Sequence, residues 1–262
     1  MNLGLEGKLA VVTAATGGLG FATAQVLAAE GARVVICGRD DARALEAAAR
    51  IGQETGGEVI GLVADVSRAD DLEKLFNQIE TQLGGLDILV SNAGGPPSGG
   101  FLSLDENAWD LAYALTLQSV VRSVRHALPL MRSRGGGRIL TIVSSSVKRS
   151  LPNLLLSNVF RPAVQGLCKS LSIELAGDNI QVNCLAPGRI GTERTDELDR
   201  ARAQKQGTTF EEVRAQSVAQ IPMGRFGTPE EFGRAAAFLC SPAALYISGS
   251  TVLVDGGSVN CL

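Results

Sequence analysis

Histidine is almost absent. The 262 residues hold one, His126, which excludes a His-rich metal centre, and no metal site is expected. The cysteines are five (Cys37, Cys168, Cys184, Cys240 and Cys261), an odd count without a C-x-x-C pair. A disulfide framework or zinc site is therefore not expected, and the cytoplasm is the natural compartment. No run approaches the ~20 apolar residues of a membrane span. The first eighteen residues lack a basic region followed by an apolar one, so no signal peptide is expected. A net charge of −3 argues against a surface that grips nucleic acid, and 19% charged residues argue against a charge-rich disordered chain. Aromatics make up only 4%.

What is present is an apolar fraction of 45% and 31 glycines, enough for a sizeable core with tight turns and close helix–sheet packing. Short β-branched runs alternate with longer amphipathic stretches. Strands are predicted at 9–14, 33–37, 58–65, 86–91, 138–144, 180–187 and 251–255, and helices at 18–30, 40–54, 69–82 and 229–240. A long helical pattern covers 105–133 and should break near Pro129. Another covers 153–176, with Pro162 as its weak point. Residues 94–100 (GGPPSGG) read as a loop, and 188–228 as polar and irregular with a helix near 208–220. Continuous apolar strands separated by helices imply a doubly wound parallel α/β sheet of about seven strands. No linker or repeat divides residues 1–262, so a single domain is expected.

The first strand runs into Thr13-Ala14-Ala15-Thr16-Gly17-Gly18-Leu19-Gly20 and then a helix. Small residues let backbone N–H groups approach a phosphate, and the helix N-terminus adds about half a positive charge. Strand, turn and helix in this order make a dinucleotide site. A carboxylate at the end of the second strand would hold a ribose 2′-hydroxyl. Here the residues are Cys37-Gly38-Arg39, and Arg39 offers a fork for a 2′-phosphate. That points to NADP(H) rather than NAD(H), the competing reading being a solvated Arg39 paired with Asp40 or Asp41.

In register, these pieces resemble the short-chain dehydrogenase/reductase family over residues 5–257 or so. Residues 13–20 match its TGxxxGxG motif, with Ala14 in place of the first Gly. Asp65-Val66 match its adenine-side pair, Asn92-Ala93-Gly94 its NAG motif, and Pro187-Gly188 its PG motif, with Ile190 and Thr192 following. Tyr246-Ile247-Ser248-Gly249 and Val254-Asp255-Gly256-Gly257 resemble its C-terminal signature. The resemblance implies a Rossmann-type fold and an NAD(P)-dependent oxidoreductase acting on a CH–OH group of a small-molecule substrate. It also implies a homotetramer, and a substrate lid at about 188–228. Asn92, Ala93 and Gly94 would line the adenosine ribose. Residues 187–192 would hold the nicotinamide carboxamide, through the Ile190 backbone and the Thr192 hydroxyl. If position 14 needs a positive φ, Ala14 costs on the order of 1 kcal/mol.

The family's catalytic pattern is Ser, then Tyr thirteen residues on, then Lys four beyond. In this chain the corresponding positions are Ser144, Ser157 and Arg161, and the family's helical Asn falls on Thr116. Arg161 keeps a positive charge for ribose hydroxyls. Ser157 cannot replace a phenol, being several pKa units less acidic than Tyr. Tyr113 and Lys148 are the alternative proton donors, against a packing role for Tyr113 and a solvated loop for Lys148. Tyr246 lies in the C-terminal signature. Glu193 and Arg194 either position an anionic substrate or pair with each other, and His126 reads as a helix-surface or interface residue. Val120, Val121, Val124 and Leu128 fit either an interface or the core. Segments like Ser157-Asn158-Val159-Phe160-Arg161 mark a distinct group within the family. Three functions follow: an oxidoreductase with altered proton transfer, a dinucleotide-binding but redox-inactive partner or sensor, and a non-redox lyase in the same pocket.

Overall fold

The computed structural model describes residues 2–261. Seven strands form one parallel sheet: β1 (Leu9–Val12), β2 (Arg33–Gly38), β3 (Val59–Val63), β4 (Ile88–Ser91), β5 (Gly137–Ile142), β6 (Ile180–Pro187) and β7 (Thr251–Val254), in the order β3-β2-β1-β4-β5-β6-β7. Both faces are covered, which is why the strands are continuous apolar runs. Ala10 and Val12 of β1 face a core with Leu27 and Phe232, whereas Leu9 and Val11 face a second core with Phe76, Met131 and Val164.

The first core lies under α1 (Gly18–Ala29), α2 (Asp41–Thr55) and α9 (Pro229–Leu239). The second lies under α3 (Ala69–Leu83), α5 (Ser119–Ser133) and α6 (Leu155–Glu174). Val120 and Val124, 3% exposed each, belong to that core, so they are not free for an interface. His126 on α5 stacks on Phe76 at 5.6 Å and is half-buried between helices. No helix among the described residues is long and apolar enough to cross a membrane.

The structure corrects three helical expectations. Pro129 and Pro162 lie inside α5 and α6 without ending them. Burial of Ala127, Leu130 and Met131 beside the first, and of Arg161 and Val164 beside the second, outweighs the local cost. The long helix is instead interrupted by π-helical turns at Tyr113–Gln118, between α4 (Glu106–Ala112) and α5. Finally, the segment after β6 is not irregular: it holds α7 (Glu193–Gln206) as well as α8 (Phe210–Ala219).

The strand order reverses between β1 and β4. In a doubly wound sheet the crevice outside the carboxyl ends of the strands at that reversal is the ligand position. The turn after β1 and residues 92–94 after β4 both open onto it.

Candidate active site

The turn after β1 is built as an anion cradle. Ala14 adopts φ 47° and Gly18 φ 57°, so position 14 does sit in the left-handed region. Asn92 fastens the turn. Its Nδ2 donates to Thr13 O (3.1 Å) and Ala14 O (3.0 Å), and its backbone N–H donates to Thr13 Oγ1 at 2.8 Å. The Thr13 hydroxyl donates to Asn92 O at 2.6 Å. The two N–H bonds of the Asn92 amide are thereby committed to shaping the turn. No side chain caps α1 and no acid lies in its first turn, so its leading N–H groups are left for an anion. A Cβ on Gly20 would lie 2.6 Å from Asn92 Nδ2 and 2.9 Å from Ala14 O, so helix and turn meet only because this residue is glycine. Gly38 plays the same part at the end of β2. A Cβ there would lie 2.4 Å from Thr16 Cγ2. The sequence shows Gly38 directly before Arg39, but its close packing on Thr16 emerges only in the fold.

On the adenine side Arg39 is exposed, and among the described residues it has neither a salt bridge nor a hydrogen bond. Asp40 is occupied elsewhere, its carboxylate accepting from the Arg43 N–H at 2.9 Å as the N-cap of α2. The Asp65 carboxylate accepts from the Ser67 N–H (2.9 Å) and hydroxyl (2.7 Å), and the Asp65 N–H donates to Asp71 Oδ2 at 3.0 Å. These bonds fix the turn after β3 and bury Val66 at 4% exposure.

Ser144 follows β5, while Ser157 and Arg161 lie on α6, which packs beside the end of that strand. Ser144 caps a short helical turn (Ser145–Val147), its Oγ accepting from the Ser146 N–H at 3.1 Å and keeping its own proton free to donate. Ser146 Oγ donates to Ser157 O at 3.2 Å, tying that turn to α6. Ser157 and Arg161 are one turn apart on a single α6 face. Arg161 is buried, and its Nη1 donates to Ile142 O at 2.7 Å while its Nε has no partner. Burial lowers its pKa to about 10, with the nearby Cys184 thiol opposing weakly. Thr116, within the π-helical turns, is also buried with its hydroxyl unpartnered. Such turns often mark functional sites.

The other candidates are less well placed. Tyr113 is exposed, and its hydroxyl accepts from Gln118 Nε2. Tyr246 is fully exposed. Lys148 lines an outer cleft with Pro162, Gln165 and Lys169. Arg194 does not pair with Glu193. Its Nη1 meets Glu197 at 3.3 Å and its Nη2 donates to Pro96 O at 3.3 Å, across the 94–100 loop. In the Pro187–Thr192 segment Gly188 donates to Val254 O at 2.9 Å, Ile190 is buried, and the Thr192 hydroxyl caps α7 by accepting from the Thr195 N–H. No cluster of three or more metal-ligating side chains occurs among the described residues.

A doubly wound sheet with an uncapped, glycine-lined helix start at its switch point defines a dinucleotide-binding α/β protein, and the residues present fit a nicotinamide dinucleotide. The family model described as enoyl-(acyl carrier protein) reductase matches residues 13–259. Dehydrogenase/reductase SDR family member 4 of Bos taurus is 38% identical over 261 residues, covering 98% of this chain and 89% of the relative. Among solved structures, L-sorbose reductase from Gluconobacter frateurii, complexed with NADPH and L-sorbose, is similar with a TM-score of 0.95 at 32% identity, over 100% of both chains. A 7α-hydroxysteroid dehydrogenase complexed with NADH is similar with a TM-score of 0.88 at 33% identity, over 100% of this chain and 98% of the other. The chain belongs to the short-chain dehydrogenase/reductase family, whose members are NAD(P)-dependent oxidoreductases acting on alcohol and carbonyl groups.

Proposed function

We propose that this chain prefers NADP(H) and interconverts a carbonyl and an alcohol on a small-molecule substrate with an atypical catalytic set. The observation that carries the cofactor preference is Arg39, exposed and unpaired at the end of β2 where the family reads the adenosine ribose. An unpaired guanidinium there matches a 2′-phosphate in charge and geometry.

When bound, the dinucleotide supplies or accepts the hydride. The chain's residues do the rest. The N-terminus of α1, with Thr16, Gly18 and Leu19, holds the diphosphate. Asp65 and Val66 face the adenine, and Ala93 and Gly94 flank the adenosine ribose. Ser144 orients the substrate oxygen by a hydrogen bond from its free O–H, and Arg161 faces the nicotinamide ribose. Ser157 occupies the phenol position without supplying an acid of comparable strength, so the proton comes from water. The 188–228 segment forms the substrate lid. The exposed apolar side chains Val159 and Ile173 on α6, and Leu245 and Tyr246 before β7, support a homotetramer. Five free thiols support a cytoplasmic setting.

One observation favours a second reading, a dinucleotide-binding but redox-inactive protein: both tyrosines are exposed, and the Tyr113 hydroxyl is engaged by Gln118. The cofactor preference is tested by measuring NADPH and NADH affinities for the wild type and Arg39→Asp. The wild type should bind NADPH more tightly, by ~10–100-fold for a charge-assisted bond of ~1.5–3 kcal/mol. Arg39→Asp should reverse the order. A wild type that prefers NADH refutes the assignment.

A further inference from the structure

Helix α7 has almost no apolar face, and its only buried residues are Asp199 and Ala203. A carboxylate with 0% exposure on so polar a helix requires a specific partner. Asp199 Oδ1 accepts from Arg189 Nη1 at 2.7 Å. One turn earlier on the same face, Thr195 Oγ1 donates to Ile190 O at 2.7 Å. With that proton committed, the Thr192 hydroxyl donates to Thr195 Oγ1 at 3.0 Å.

Two positions of one helix face, Thr195 and Asp199, thus grip residues 189, 190 and 192. From the opposite side the Gly227 N–H donates to Arg189 O (3.0 Å) and the Gly191 N–H donates to Gly227 O (2.9 Å). The segment between β6 and α7 is clamped along its whole length. Asp199 Oδ2 is buried with no partner, so the Arg189 contact alone offsets the cost of burying this charge. Such a pair tolerates little displacement.

We infer that Asp199 is a positioning residue. With Thr195 it holds 189–192 in the shape that receives the nicotinamide half of the cofactor, and it does so without touching the ligand. The N-terminal half of α7 is then a splint for the cofactor site as well as the start of the lid. This inference rests on the cofactor reading above.

The test separates the two halves of the dinucleotide. Affinities for NADPH and for adenosine 2′,5′-bisphosphate, which lacks the nicotinamide half, are measured on the wild type and Asp199→Asn. The variant should lose at least tenfold in NADPH affinity and stay within twofold of wild type for the bisphosphate. Equal losses for both ligands, or no loss for either, overturn the inference while leaving the cofactor reading intact. A wild type that binds neither ligand overturns the cofactor reading and this inference with it. If Asp199→Asn does not fold, Thr195→Val decides. It removes only the hydroxyl that grips Ile190, and should weaken NADPH several-fold without affecting the bisphosphate. Unchanged NADPH affinity in that variant overturns the inference.

Discussion

Replacing Arg161 by methionine should make the chain more stable and a poorer binder of its cofactor. Arg161 is 7% exposed, with one hydrogen bond to Ile142 O at 2.7 Å and an Nε that has no partner. Burial lowers its pKa from 12.5 to about 10, which corresponds to ~3 kcal/mol spent on keeping the guanidinium charged in the folded chain at neutral pH. Methionine keeps the length and apolar stem and leaves no charge behind. Losing the charge-assisted bond to Ile142 O returns ~1.5 kcal/mol of that gain. The net expectation is stabilisation by ~1.5 kcal/mol, or roughly 3–6 °C in Tm for a domain of this size. Thermal unfolding of both proteins without nucleotide measures it, and NADPH titration of the same samples should show weaker binding by the variant. A fall in Tm would refute the reasoning, because the guanidinium would then be a net structural asset rather than a costly group retained for the ligand.

Two further outcomes follow from single residues. Ala14 sits at φ 47°, where an L-residue costs ~1–2 kcal/mol. Allowing for the greater unfolded-state freedom of glycine, Ala14→Gly should stabilise by ~0.5–1 kcal/mol in urea unfolding, and a lower midpoint would contradict the strained reading. Asp87 accepts from the Leu9 N–H at 2.9 Å and is bridged by Arg134 at 3.1 Å and Lys8 at 3.3 Å. Burial alone would push this carboxyl up, but these donors hold it below its usual 3.8. A depressed carboxyl stabilises the fold above its unfolded pKa and ceases to as pH falls through the folded value. Asp87→Asn should therefore be less stable than wild type by the same margin at pH 7 and pH 5. The margin should close below about pH 3.8, and one that persists at pH 2 would contradict the assignment.

The sheet was legible because its strands are buried on both faces. β6, Ile180–Pro187, falls where the apolar run predicts it. Strand ends were harder to read. The expected 86–91 strand is observed as Ile88–Ser91, because side-chain pattern does not reveal where ladder bonding begins. Helix α7 escaped because periodicity detects apolar stripes, and its inward face is Asp199 and Ala203. Its end signals were present: Thr192 as N-cap, Glu193 in the first turn and Gly207 at φ 64° as C-cap. Pro129 and Pro162 misled because long-range burial, invisible locally, outweighs their cost. The cradle from Thr13 to Gly20 was legible as strand, turn and helix. The commitment of Asn92 to that turn and the burial of Arg161 under β5 were not, since both depend on contacts between residues far apart in the chain.

The central claim is that the start of α1 holds a nicotinamide dinucleotide, whatever proton transfer occurs beside Ser144. Equilibrium titration of the folded wild-type chain with NADPH tests it most directly. The account predicts saturable uptake of one NADPH per chain, displaced by adenosine 2′,5′-bisphosphate. A folded protein that takes up neither NADPH nor NADH at millimolar concentrations would contradict it.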